Sequence, residues 1–181
     1  MRANLPCLAG CALSLLLLAA TEAETSRDPL THAEIEQLRD AAVEPELRLK
    51  LYIKFARVRL ASVEQARSDP KTQERGQQIH DRLQDFLDVY DELNDNVDNY
   101  ADRRWDIRKA LKAVLEADTE FQARLRAVQD SAKAEAEEIK QYEFLLSNAL
   151  DTLDSSVQDH RQVLSQQEEA AKHKKLIKPG G

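Results

Sequence analysis

Apolar residues recur along the second half of this chain at intervals that alternate between four and three. From Ile79 onward one seam position holds Ile79, Phe86, Leu93, Tyr100, Ile107, Val114, Phe121 and Val128. Its companion holds Leu83, Tyr90, Val97, Arg104, Leu111, Asp118, Leu125 and Ala132, so only Arg104 and Asp118 interrupt the pattern. Such a repeat keeps one stripe of a helix turned toward a neighbour and predicts coiled-coil-like packing. A further helix is predicted over about 136–171, with Ile139, Tyr142, Leu146, Ala149, Leu153, Val157, His160 and Leu164 inward.

Upstream, Thr31 and Glu34 have capping-box spacing and Leu30 and Ile35 occupy the staple positions around it. This predicts a short helix over 32–44, where Pro45 kinks it or opens the next one. Leu47, Leu49, Leu51, Ile53 and Phe55 alternate with polar residues as a strand would, but Val58, Ala61 and Ser62 fit a helix. A lone strand would have no partner, so residues 47–67 are expected to be helical. Ser68-Asp69-Pro70 reads as a turn, with Asp69 capping a helix that begins at Pro70. One rod over 70–131 would be roughly 90 Å long. The unbroken seam favours that rod. The poor helix formers over 94–99, or the segment 102–106, favour a break and a four-helix bundle, and the break is the preferred reading.

Composition narrows the class. No Gly or Pro lies between Gln77 and Lys178, where average usage would place about a dozen. Folds that turn often are thereby set aside. The expectation is all-α: an elongated antiparallel bundle of three to four long helices plus a short N-terminal helix, over 24–171, followed by a basic disordered tail over 172–181. Before it, Arg2, the apolar run 11–20 and Ala23 read as a signal peptide over 1–23, with cleavage after Ala20 as the second choice. Leu8-Ala9-Gly10-Cys11 matches a lipidation pattern, but it precedes the apolar run instead of following it. Cleavage after Ala23 would remove both cysteines and leave no transmembrane anchor. The net charge of -7 disfavours nucleic acid as a partner.

The segments 48–57 (RLKLYIKFAR), 84–94 (QDFLDVYDELN) and 140–150 (KQYEFLLSNAL) resemble an uncharacterised family of exported helical proteins of acidobacterial type. The resemblance implies a helical fold and export, to the periplasm or beyond the cell. The family has no known activity, so the resemblance implies no site.

Catalytic parts are missing from the pattern. There is no Gly-x-Ser-x-Gly, no phosphate-cradling glycine loop and no His-Glu-x-x-His. No catalytic residue, metal ligand or cofactor is therefore assigned. His160 on an apolar seam reads as a satisfied core histidine before it reads as a ligand. Arg104 and Asp118 form either a buried functional pair or separate marks of a kink, a helix end or a snorkelling position. Charge is more informative. Residues 81–106 hold nine acids against three arginines, whereas residues 46–67 hold six cations against two acids. The acids follow helical spacing away from the seam, and the basic helix is expected to lie antiparallel against 79–97 with charges flanking. Trp105, the sole tryptophan, either contacts a partner beside Asp88, Asp91, Asp95, Asp98, Asp102 and Asp106 or plugs a bundle end. The resulting expectation is an exported, non-enzymatic structural, envelope-associated or protein-interaction module, self-association included. The alternative is cation or small-ligand sequestration by a bundle with an acidic face.

Overall fold

The computed structural model describes residues 28–69, 73–132 and 136–177, so the expected signal peptide over 1–23 lies outside the described residues. Among the described residues there are six helices and no strand: α1 (His32–Asp40), α2 (Pro45–Ser68), α3 (Arg75–Asp102), α4 (Arg108–Ala132), α5 (Ala136–Ile139) and α6 (Glu143–Ile177). No helix is long and apolar enough to cross a membrane among the described residues.

The capping box forms as its spacing requires, with Thr31 accepting from the Glu34 amide and Glu34 accepting from the Thr31 amide. The helix it starts ends at Asp40, earlier than the expected residue 44. Proline disfavours the helical region for the residue before it, and Glu44 is accordingly non-helical, with φ -118° and ψ 85°. Pro45 then opens α2, where its missing N–H costs nothing. The strand-like alternation in α2 is overridden by its buried stripe, Leu49, Tyr52, Ile53, Ala56, Leu60 and Val63, which keeps helical spacing.

Residues 70–72 lie outside the described residues, so the expected helix start at Pro70 does too. Asp69 closes α2 by donating its N–H to Gln65, and Glu74 is left-handed (φ 50°) immediately before α3. In the first turn of α3 a Cβ on Gly76 would stand 2.5 Å from Gln141 Oε1, so the glycine leaves room for that side chain to cross.

The break falls at 103–107 and not in the Asn/Asp run, which is helical throughout. Side-chain bonds, two of them to other helices, offset its weak propensity. Asn94 donates to Ser156 Oγ (3.0 Å), and Asn96 accepts from Arg48 (2.9 Å) while donating to the Glu92 carbonyl (2.7 Å). At the far end α6 runs to Ile177, beyond residue 171 where the bundle was expected to finish and a disordered tail to begin.

α2 packs on both α3 and α4, and α6 packs on α4 and α3. Contacts between α2 and α3 run in opposite order along the two helices, Arg48 to Asn96 and Tyr52 to Glu92. Those between α4 and α6 do likewise, Lys112 to Glu168 and Gln122 to Asp154. Between α2 and α4 the order is the same in both: Glu46 to Lys109, Arg57 to Glu120, Glu64 to Arg124. α3 and α4 meet through long side chains, with Phe86 edge-on to Phe121 at 5.4 Å and Tyr90 edge-on to Phe121 at 6.2 Å. All the seam residues from Ile79 to Val128 are buried, as are Leu83, Tyr90, Val97, Leu111, Asp118 and Leu125 of the companion.

Candidate functional site

The predicted site begins where α3 stops. Arg104 is left-handed (φ 59°), its N–H bonds the Ala101 carbonyl (2.9 Å), and the Trp105 N–H bonds the Tyr100 carbonyl (3.0 Å). These are the two bonds of a Schellman cap, in which glycine is the usual left-handed residue. Trp105 therefore lands over Tyr100, its ring stacked at 5.4 Å and 24°. Its carbonyl accepts from Gln167 Nε2 (2.9 Å), while Gln167 Oε1 accepts from the Ile107 N–H (3.0 Å). Trp105 is 38% exposed, and so is neither a sealed plug nor a free side chain.

The acids around it divide into two groups. Asp106 is bound by Arg108 through two side-chain contacts of 2.8 and 2.6 Å, which pull its carboxyl down to about 2. Asp88 is half-buried and accepts from Gln84 (2.7 Å). Asp91, Asp95, Asp98 and Asp102 are exposed, and no ion pair joins any of them among the described residues. Partial burial raises the Asp91 carboxyl above its ordinary value, helped by repulsion from Asp88 and Asp95. Partial burial likewise raises Asp98. The nearby His160 pulls the other way, and Asp159, Asp102 and Asp95 add repulsion. The stripe thus continues from α3 onto α6 through Asp159.

The expected charge pairing between the basic helix and this stripe is not what joins α2 to α3. Arg57 pairs with Glu120 on α4, Arg59 with Glu34 on α1, and Lys50 with Glu46 on α2 itself. Glu92 is reached through the Tyr52 hydroxyl, which lies between it and Arg48. Apolar packing supplies the contact, and the stripe keeps its charge. Asp85, assigned to the outward face, is buried at 9% exposure, because α3 buries a face wide enough for two neighbours.

A second arrangement emerges in the core. Tyr90 Oη donates to Asp118 Oδ1 (2.8 Å) and His160 Nδ1 lies 2.9 Å from Asp118 Oδ2, with all three side chains buried. Burial, then the charge of Asp118, pushes the Tyr90 hydroxyl far above its ordinary value and keeps it a donor. Ser156 adjoins the same hydroxyl and accepts from Asn94, whose own Oδ1 is buried without a partner. One residue each from α3, α4 and α6 is tied together here. Asp118 and Arg104 do not form a pair: Asp118 is in the core, and Arg104 is an exposed cap. The two seam irregularities were visible in the sequence. Their partners were not, because Asp118 meets His160 only through the register of α4 on α6. Among the described residues no group of three or more His, Cys, Asp or Glu side chains is placed to hold a metal ion.

No family model matches this chain, and neither a curated protein nor a solved structure matches it.

Proposed function

We propose that this chain is an exported, non-enzymatic helical protein that binds a cationic protein partner on the face built by Asp91, Asp95, Asp98 and Asp102, with Trp105 supplying contact area. The bundle serves as an elongated antiparallel support with coiled-coil-like packing. In support, the α2–α3 and α4–α6 contacts run in opposite order, and α3, at 28 residues, is about 42 Å long. The proposal includes membership of an exported acidobacterial-type family and a periplasmic or secreted address.

The observation that carries the proposal is that those four acids form no ion pair among the described residues, while the six α2 cations bond other groups. Like charges held together raise local potential and attract a cation-rich surface, and a half-exposed indole is a frequent anchor in such contacts. The test is titration of a lysine-rich helical peptide, read by Trp105 fluorescence. Replacing the four acids by Asn should abolish the change. Replacing four acids elsewhere (Glu36, Asp40, Glu44 and Asp130) should preserve it. Equal loss in both variants would reduce the effect to net charge and overturn the site. Cation sequestration makes a different demand, retention of calcium or magnesium after dialysis that the four Asn substitutions remove.

A further inference from the structure

The N-terminal helix α1 is nine residues long and packs on α2. A helix that short has little stability of its own, so what holds it is its seat. Leu38 contributes apolar burial, and the Leu38 carbonyl accepts from Arg48 (2.6 Å). Glu34 does more. Its carboxylate caps α1 through Thr31 and also receives Arg59 in a two-pronged ion pair, Nη1 to Oε1 at 3.0 Å and Nη2 to Oε2 at 2.5 Å. Both partners are nearly buried, with side chains 12% and 11% exposed. Arg59 also donates to the Pro29 carbonyl (2.7 Å), so the same guanidinium holds the chain just before the helix.

The geometry points to α1 as an acid-released strap, in which protonation of Glu34 breaks the ion-pair tie to α2 and weakens the carboxylate half of the capping box in one step, leaving the bond from the Glu34 N–H to Thr31. The groups that face Glu34 are Arg59 from α2 and Thr31 from its own cap. Elsewhere along the seat, Lys54 meets Gln37 and Arg48 meets a carbonyl, and neither contact loses a charge in the carboxylate range. Burial alone would raise the Glu34 carboxyl. The bonds from Arg59 and Thr31 outweigh it and leave the group below its ordinary value. The stabilisation is therefore complete above the ordinary glutamate value and is lost as pH falls through the lowered one. Asp91 and Asp98, on α3, are shifted upward and respond in the opposite sense.

The test is hydrogen exchange on the full chain, with rates corrected for intrinsic pH dependence, comparing residues 35–40 with residues 111–125. Between about pH 6 and about pH 3 the protection of α1 should fall while α4 keeps its own. Glu34→Gln should lower α1 protection at pH 6 and flatten its pH dependence, with α4 unchanged. Protection of α1 that persists in acid, that falls in step with α4, or that keeps its full acid response in Glu34→Gln would overturn the proposal.

Discussion

The ring of Trp105 rests on the ring of Tyr100 because Arg104, the residue immediately before Trp105, is left-handed. A side chain with a Cβ resists that conformation by about 1–2 kcal/mol, and glycine does not. Arg104→Gly should therefore raise stability by about 0.5–1 kcal/mol, after allowance for the greater freedom of glycine in the unfolded chain. Urea unfolding measures it. A loss of stability would mean that the Arg104 side chain contributes a contact larger than the backbone cost.

Trp105 itself should be only modestly structural. At 38% exposure it cannot leave the cavity that a sealed plug would, and its stacking on Tyr100 is worth about 0.5–1.5 kcal/mol. Trp105→Ala should cost about 1 kcal/mol, and acrylamide should quench the wild-type indole to an intermediate degree. A cost near that of a buried aromatic, about 3–5 kcal/mol, would return the residue to a purely structural role.

Much of the bundle was legible because burial follows helical periodicity. The seam could not distinguish a rod from a turn, since Tyr100 and Ile107 are both buried and seven residues apart whether or not the helix breaks between them. The useful signal was Arg104, a charge at a seam position that became a cap. The Asn/Asp run misled because propensity is weak beside the bonds that Asn94 and Asn96 make to other helices. That α2 lies against α3 was legible, whereas its second neighbour, α4, was not. The α2 cations were matched to α3 by net charge, but in the fold Arg57 pairs with Glu120 of α4, and the two α2 acids Glu46 and Glu64 also pair with α4 cations.

Phe86 is the sharpest test of the core. It is fully buried, stacked with Tyr90 at 5.9 Å and edge-on to Phe121. Phe86→Ala should cost about 3–5 kcal/mol by leaving a cavity where α3 meets α4. An unchanged unfolding midpoint would be incompatible with this packing.

The Tyr90–Asp118–His160 arrangement predicts a strong asymmetry between breaking it and removing it. Asp118→Ala leaves a tyrosine hydroxyl and an imidazole N–H buried without their acceptor, which should cost about 3–5 kcal/mol. The triple change Tyr90→Phe, Asp118→Leu, His160→Leu removes all three polar groups together and should come close to wild-type stability. Urea unfolding of both variants decides. Equal, large losses would show that shape, and not unpaired polarity, governs the site.

The acidic face should behave in the opposite way to Glu34. Asp91 and Asp98 hold protons more tightly in the folded chain than they ordinarily would, so folding is favoured at low pH and loses that contribution as pH rises through their raised values. Asp98→Asn removes repulsion from Asp102, Asp95 and Asp159, but it also removes attraction to His160. The carboxyl is raised all the same, by partial burial first and then by Asp159 across on α6 and by Asp102 and Asp95 at helical spacing. The variant should therefore exceed wild type at neutral pH by about 0.2–0.5 kcal/mol, the scale of a like-charge pair on a helix. The gain should vanish near pH 3, where the carboxylates are protonated, and in about 1 M salt, where they are screened. A variant less stable than wild type at neutral pH would mean that Asp98 serves the His160 network more than it burdens the stripe. The proposed contact face would then have to be drawn without it.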